Sequence, residues 1–465
     1  MLRGVLISRC RTGDKYTNKG VSPLLQLSDI HFSILGLLAE CGCVSRPMFD
    51  LMGYSYKYLI ASIKTLVDTN AVRIYGKGRG RHYALGQSGR KHLAAYNPLR
   101  YSPSVLELNK QLSQHPDRAM LRGDAAAMLS LAGYAVHPDD KPPLPAYTPP
   151  LPQPPDYQHW RNLTMHTYPA GEDRREYGRR LTAIGAYYDA TVVKGLLPTD
   201  GDKDKEGVNY SRACGVLMTP DHLLRVFHSR DVALKLKLTG ETNFKKLLFS
   251  DEVYGGFMPD DREAVLVFGN DFSAARLIIE HHLYGHNIYL PKVVKRSGKK
   301  GGYEVMKGSG GELLGPANLG NPAYYLPLDK AGLELLPLFQ FPRWTDTLHR
   351  NINRRAFDVT DQPKWSYERD GRIFYVLASL NLPQIAHALR TIKNDLTRPF
   401  AIACLDWQTP LFSDLLLPYM DRDILVKRMP PDFMDEVAND LPPFAYYYEI
   451  PPCYHSGQYR FYRPV

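Results

Sequence analysis

The chain has 465 residues, of which 44% are hydrophobic and 11% aromatic, and it carries a formal net charge of +10. This composition excludes a largely disordered chain, and the length favours two or three domains over a single core. The sequence has no run of about 18 apolar residues, so neither a transmembrane helix nor a membrane partner is expected. The six cysteines are scattered, which favours reduced thiols and a cytoplasmic location.

The surplus positive charge is concentrated near the amino terminus. The first 100 residues hold 15 Lys and Arg against 5 Asp and Glu, whereas the remaining 365 residues hold 43 of each. A basic surface confined to one segment is typical of nucleic-acid binding. The two parts of the chain therefore have different expected roles.

Three helices are predicted in the basic segment, after an amino-terminal extension of residues 1–24. Ser28 can cap a helix that runs to about Glu40, and a short helix follows near Arg46–Met52. A third helix is predicted over Ser55–Thr69. Its expected core residues lie three and four positions apart, and they are Leu59, Ile60, Ile63, Leu66 and Val67.

A hairpin and a last helix complete this segment. Alternation predicts strands at Ala71–Tyr75 and His82–Leu85 around a glycine-spaced basic tip, and Ser88 can cap a helix towards Tyr96. The order of three helices followed by a hairpin predicts a winged helix-turn-helix domain over residues 25–97.

In such a domain the third helix enters the major groove, and the hairpin approaches the DNA backbone. Glycines in the tip remove side-chain bulk and allow positive φ. The predicted DNA-contacting residues belong to the third helix and the hairpin, and they are Ser55, Tyr56, Lys57, Tyr58, Ser62, Lys64, Lys77, Arg79, Arg81 and His82. The alternatives are a solvated basic domain that binds nothing and a winged helix used as a protein-interaction adaptor.

The pattern of the remaining residues predicts an α/β body. Residues 98–137 predict a helical connector, and residues 138–155 predict a linker in which nine of eighteen residues are proline. Strand-like and helix-like segments then alternate over 156–320 and again over 321–465, which ends in an aromatic tail. This alternation predicts a layered body with largely parallel strands. Whether the two regions share one sheet stays open.

Individual elements of the body can be placed from the same patterns. Two apolar runs around Pro220 and Asp221 predict a hairpin. Further strands are predicted at Ala264–Phe268, Asn287–Val294, Ile373–Ser379, Phe400–Leu405 and Ile424–Lys427. Helices are predicted near Asn243–Phe249, from Asn270 or Asp271 to Glu280, over Pro383–Lys393 and over Leu411–Leu417.

The basic segment, from Leu27-Ser-Asp-Ile through Leu66-Val to Ser88-Gly, resembles the amino-terminal winged helix of plasmid replication-relaxation proteins. The segment 211–228 is similar to the region that follows in some members. These proteins occur on bacterial plasmids and integrative conjugative elements. The resemblance implies a DNA-binding role in plasmid replication control or transfer, and a body similar to a degenerate restriction-endonuclease fold.

The sequence contains no complete catalytic pattern. A restriction-type nuclease needs an Asp on one strand and an acid-x-Lys on the next, which together hold a divalent metal. Asp221 lies in a suitable hairpin and Asp406 follows a predicted strand, but neither has an evident acidic partner. No GxxxxGK[ST] phosphate-binding loop is present.

The sequence therefore favours a sequence-preferring duplex DNA-binding protein of a bacterial mobile element, without catalysis, cofactor or metal of its own. The neutral body would provide a surface for a homodimer or for replication or transfer proteins. The main alternative is a Mg²⁺-dependent nuclease or nickase, whose body cleaves what the winged helix binds.

Overall fold

A computed structural model describes two groups of residues. The longer segments are 27–76, 81–101, 116–141, 185–194, 211–229, 238–249, 262–284 and 322–441, and the short strand segments are 146–147, 166–167, 235–236, 292–295, 303–306 and 312–313. Contacts divide them into an amino-terminal unit, up to Met120, and a carboxy-terminal unit, from Leu121 onward. Both contain helices and strands, so the predicted mixed α/β class is confirmed.

From residue 27 to residue 101, the amino-terminal unit consists of helices around a small antiparallel sheet. The helices are α1 (Asp29–Cys41), α2 (Arg46–Asp50), α3 (Tyr56–Asp68) and α4 (Gln87–Tyr96). The strands are β1 (Cys43–Ser45), β2 (Val72–Tyr75) and β3 (His82–Leu85), in the order β1-β3-β2. The predicted helices and hairpin strands are present, and β1 is an additional strand that pairs with β3.

The buried face of α3 differs from the prediction. Its buried residues are Leu59, Ser62, Ile63 and Leu66, which form one helical stripe. Ile60, predicted to be a core residue, is 39% exposed, and Val67 is only half-buried. Ser62 lies three residues after Leu59 and four before Leu66, so the stripe carries its small side chain into the core. Placing Ile60 in the core is therefore wrong.

The ends of α1 follow the predicted signals. The backbone N–H of Ser28 donates to Nδ1 of His31 at 3.1 Å, and burial lowers the pKa of His31, which favours the neutral ring that can accept this bond. The helix stops at Gly42, where φ is 81°. A second glycine allows close packing of α4, because a Cβ at Gly89 would lie 2.3 Å from the carbonyl oxygen of Ala71.

From residue 116 onward, the described elements alternate between strands and helices. The strands are β4 (Ala146–Tyr147), β5 (His166–Thr167), β6 (Ala186–Asp189), β7 (Gly215–Met218), β8 (Leu223–Ser229), β9 (Lys235–Leu236), β10 (Glu263–Gly269), β11 (Lys292–Lys295), β12 (Tyr303–Met306), β13 (Glu312–Leu313), β14 (Ala323–Pro327), β15 (Ser366–Arg369), β16 (Arg372–Val376), β17 (Phe400–Leu405) and β18 (Ile424–Met429). The helices are α5 (Pro116–Leu131), α6 (Ala190–Lys194), α7 (Leu238–Phe249), α8 (Ser273–Tyr284), α9 (Lys330–Leu335), α10 (Trp344–Phe357), α11 (Leu382–Asn394), α12 (Thr409–Leu416) and α13 (Phe433–Asp440).

The larger sheet of the carboxy-terminal unit has the strand order β14-β10-β8-β7-β6. Its β14, β10 and β8 strands are parallel, whereas β7 and β6 are antiparallel additions at one edge. The β7–β8 hairpin turns at Pro220 and Asp221, as predicted. Asp271 caps α8 as predicted, since its carboxylate accepts the N–H of Ser273 at 2.8 Å.

A second sheet has the order β15-β16-β17-β18, in which β16, β17 and β18 are parallel and β15 is antiparallel. The body therefore has two sheets, each with a parallel part and an antiparallel edge, and they do not follow the predicted division at residue 320, since β14 (Ala323–Pro327) joins the first sheet. Helices α8 and α11 pack together. One hydrophobic core contains side chains from both sheets, including Val265 and Val267 of β10 and Ile402 of β17.

The structure adds detail to the predicted proline-rich linker and to the predicted helical connector. Within the proline-rich stretch, Pro138–Asp140 is a turn of 3₁₀ helix and β4 pairs antiparallel with β5, so short regular segments form where only a linker is predicted. Helix α5 begins at Pro116, so the predicted helical connector is helical from that residue to Leu131. The extension 1–24 and the aromatic tail lie outside the described residues. Among those described, no helix is long and apolar enough to cross a membrane.

Candidate nucleic-acid interface

The solvent-facing side of α3 carries two lysines and two tyrosines. Lys57 and Lys64 are exposed on the side opposite the buried stripe. Tyr56 and Tyr58, on either side of Lys57, are 66% and 51% exposed. Ser55, the N-cap residue, is also exposed. Five of the predicted DNA-contacting residues therefore lie together on one accessible surface.

The amino-terminal turn of α1 and the helix α2 contact the aromatic part of this surface. The Tyr54 hydroxyl lies 3.0 Å from Oγ of Ser33, and the Tyr58 hydroxyl lies 3.5 Å from Oγ of Ser28. The guanidinium carbon of Arg46 lies 5.5 Å from the centroid of the Tyr56 ring, within cation–π range. Neighbouring helices therefore support the exposed tyrosines of α3.

Arg46 extends the basic surface beyond the residues predicted from sequence. It is half-buried, and its guanidinium also forms an ion pair at 3.1 Å with Asp50, four residues later on α2. The sequence places Arg46 at the start of a predicted helix, but nothing local indicates that this helix meets the first turn of α3. Only the packing of α2 against α3 brings Arg46 to Tyr56.

The hairpin has an exposed outer part and a buried base. Arg81 is exposed, and so is Arg73 on β2. Lys77 and Arg79, the other predicted contacts of the tip, lie outside the described residues. His82 is buried, and its ring stacks on that of Tyr75 with centroids 5.6 Å apart.

Two of the predicted DNA contacts therefore need correction. Ser62 is 3% exposed on the core face of α3, and His82 is buried at the start of the central strand β3. Both side chains belong to the packing of the amino-terminal unit, so neither is available to DNA. The physical reason is the same in both cases, because neighbouring elements cover the face that each residue occupies.

Asp221, one of the two carboxylates considered for catalysis, ties a turn to the start of a helix. Its carboxylate accepts the backbone N–H of Arg343 at 2.5 Å, at the N-cap of α10. Arg343 has a φ of 54°, so the bond holds a left-handed residue in place. Burial raises the pKa of Asp221, although that hydrogen bond opposes the rise. This geometry gives Asp221 a structural role in the β7–β8 turn.

Asp406, the other carboxylate, is exposed at the carboxyl end of β17. It lines a cavity of about 250 Å³ together with Lys330, Trp407 and Met434. Crevices outside the carboxyl ends of parallel strands are frequent ligand sites in α/β proteins. In the part of the chain that the structure describes, however, no three metal-ligating side chains come together.

A buried ionic cluster in the carboxy-terminal unit is absent from the sequence prediction. The guanidinium of Arg225 on β8 lies 2.9 Å from a carboxylate oxygen of Glu263 and 4.0 Å from one of Glu241. Glu241 also accepts the Ser211 hydroxyl at 2.9 Å and the Arg212 N–H at 2.6 Å. All three charged side chains are buried, and burial raises the pKa of Glu241.

This cluster is best explained as a structural one, because its buried charges form ion pairs with one another. Lys245 adds a fourth charge through its contact with Glu263. The available signal in the sequence is an arginine in the middle of the apolar run Leu223–His228, a position where an unpaired charge would be costly. Its acidic partners lie on other elements, so local pattern does not identify them.

Comparison with known proteins found no matching family model, curated protein or solved structure for this chain. The functional interpretation therefore depends on the side chains of the chain itself. Among the described residues, the outer face of α3 with the neighbouring hairpin is a surface that combines exposed cations and exposed aromatic rings.

Proposed function

We propose that residues 25–97 form a winged helix-turn-helix domain that binds duplex DNA. The observation that carries this proposal is the outer face of α3, where Lys57 and Lys64 are exposed beside Tyr56 and Tyr58. A helix with its side chains is about 10–12 Å across and the major groove is about 12 Å wide. A helix that packs by one apolar stripe and presents cations on the other side fits this groove.

The hairpin supports the proposal through charge and position. Arg73 and Arg81 are exposed on strand β2 and next to strand β3, and the sequence adds Lys77 and Arg79 between them. Cations on such a hairpin are suited to phosphate oxygens, which fix the register of a protein on DNA without specifying sequence. In this proposal α3 reads bases and the hairpin holds the backbone.

The biological setting is part of the same proposal. The resemblance of the basic segment to plasmid replication-relaxation proteins supports a role in replication control or transfer of a bacterial mobile element. The carboxy-terminal unit would act as a non-cleaving body of restriction-endonuclease-like ancestry. It would provide a surface for a second copy or for replication or transfer proteins. Asp221 is engaged by a backbone N–H, which supports a structural role for this residue.

The test is selection of bound fragments from a random duplex pool by the full-length protein, with and without Mg²⁺. We expect an enriched sequence, and we expect Lys57→Gln to reduce discrimination between that sequence and a scrambled duplex by about tenfold, in line with the removal of one base contact. Lys427→Gln removes an equally exposed charge from β18 and serves as the matched control.

Three outcomes would contradict the proposal. Absence of any duplex binding at low salt would favour a protein-interaction adaptor. Equal weakening of all sequences by Lys57→Gln would show that α3 does not read bases. Cleavage of the pool that needs Mg²⁺ and is abolished in Asp406→Asn would replace the proposal with a nuclease.

A further inference from the structure

The outer face of α3 contains an apolar pair between its two lysines. Ile60 is 39% exposed and Ala61 is exposed as well. On a helix, residues three and four positions apart are neighbours, so both Ile60 and Ala61 adjoin Lys57 on one side and Lys64 on the other. We call these four residues the lysine-bounded patch.

The patch is an arrangement that core packing does not explain. Leu59, Ser62, Ile63 and Leu66 already form the buried stripe of α3, and the patch lies outside it. A branched aliphatic side chain that stays exposed lacks the stabilisation that removal of its apolar surface from water provides. Its position between two cations therefore indicates a partner that has both negative charge and a small apolar group.

Duplex DNA offers this combination in the major groove. Phosphates line the groove, and thymine presents the only methyl group among the four base edges there, which apolar side chains contact. Lysines at both ends of the patch are suited to phosphates or guanine edges, and Ile60 and Ala61 lie between them. The patch therefore has cations at its two ends, where they can reach phosphates, and apolar side chains at its centre, where they can contact a thymine methyl group.

We infer that Ile60, supported by Ala61, is a specificity-determining residue that recognises the 5-methyl group of thymine at the centre of the bound site. This inference rests on the proposed function, namely duplex DNA binding by α3. It adds a base preference that Lys57 and Lys64 alone would not produce, because their ammonium groups cannot distinguish a methylated from an unmethylated pyrimidine edge.

The test uses the full-length protein and the duplex enriched from a random pool. Each dT of that duplex is replaced in turn by deoxyuridine, which lacks the methyl group and keeps every hydrogen-bonding atom. We expect at least one position at which the substitution weakens binding about fourfold, which corresponds to the burial of about one methyl-sized group. Ile60→Ala should bind the dT duplex and the deoxyuridine duplex with equal affinity.

A matched control is available in the carboxy-terminal unit. Leu425 on β18 is 42% exposed, close to the value for Ile60, and it lies outside the proposed interface. Leu425→Ala should keep the fourfold difference. Circular dichroism of both variants establishes that the exposed substitutions leave the fold intact.

The outcomes separate this inference from the proposed function. Tight duplex binding with equal affinity for dT and deoxyuridine at every position would overturn the thymine contact while DNA binding stands. A pool without enriched sequence would also overturn it. Dissociation of a dimer in Ile60→Ala, seen by sedimentation with an unchanged dT preference, would assign the patch to contact between copies. Absence of all duplex binding would overturn the proposed function itself.

Discussion

Helix α3 of the amino-terminal unit and strand β8 of the carboxy-terminal unit place cations in opposite environments. On α3 of the amino-terminal unit, Lys57 and Lys64 are exposed on the side opposite the core. On β8 of the carboxy-terminal unit, Arg225 is buried and bonded to Glu263. Exposed cations are available to an external polyanion, whereas a buried cation is committed to its internal partners. A charged side chain is therefore a candidate for binding an external partner only where it is exposed.

The largest effect on this contrast is expected from removal of the buried cation, Arg225. Arg225→Ala should lower the free energy of unfolding by about 3–5 kcal/mol, because it removes the buried cation that pairs with Glu263 and Glu241 and leaves Glu263 only its contact with the exposed Lys245. The measurement is urea unfolding followed by tryptophan fluorescence, since Trp344, Trp365 and Trp407 lie in the same unit.

The exposed cation of the other unit is the matched control for that experiment. Lys57→Gln removes the same charge from α3 and should change stability by less than about 0.5 kcal/mol. A destabilisation below about 1 kcal/mol in Arg225→Ala would contradict the structural role of the buried cluster.

A second prediction concerns pH. His349 on α10 is buried, its Nδ1 donates to the carbonyl oxygen of Pro363 at 3.1 Å, and burial lowers its pKa to about 4. Because the folded-state pKa lies below the unfolded value of about 6.5, the unfolded chain binds more protons between these values. Stability is then fully present above pH 6.5 and falls by about 3 kcal/mol as the pH drops towards 4.

Urea unfolding of the native chain and of His349→Gln at several pH values measures this contribution. The variant should lose about 3 kcal/mol of the pH dependence between 6.5 and 4, while His222, whose pKa burial also lowers to about 4, keeps its own contribution. His31 in the amino-terminal unit is half-buried, so His31→Gln should remove less of it. An identical pH profile for the native chain and His349→Gln would show that His349 is protonated in the folded state.

The smallest effect is expected at the hairpin. Arg79→Ala with Arg81→Ala should weaken binding to all duplexes and lower the slope of log affinity against log salt by about 1 for each phosphate that the protein no longer neutralises. Stability should stay nearly unchanged, since Arg81 is exposed. The measurement is fluorescence anisotropy over a range of salt concentrations, and an unchanged slope would exclude the hairpin from the interface.

Much of the fold can be predicted because it depends on local patterns. The strand Phe400–Leu405 is found with the predicted bounds, and α11 (Leu382–Asn394) extends its prediction by one residue at each end. Strong periodicity and clear capping residues account for this agreement. The three-residue strand β1 is missed because it is too short to show any period.

The candidate interface is predicted less completely. Tyr56, Lys57, Tyr58 and Lys64 lie on the exposed face as expected, but Ser62 and Ile60 exchange places with respect to the core. Ile60 and Ser62 both lie three or four residues from other core residues of α3. Ile60 is predicted to be buried because it is the more hydrophobic of the two, and this prediction is wrong. Packing against the rest of the unit selects the face that includes the smaller polar residue.

The amino-acid sequence is sufficient to locate the positive charge near the amino terminus, helices α1, α3 and α11, strand β17, and the turn at Pro220 and Asp221, because each depends on residues close together in the chain. The tertiary structure alone decided the buried face of α3, the pairing of β1 with β3, and the ionic contacts of Arg225. These depend on contacts between residues far apart in the chain, for which local periodicity and composition provide no constraint.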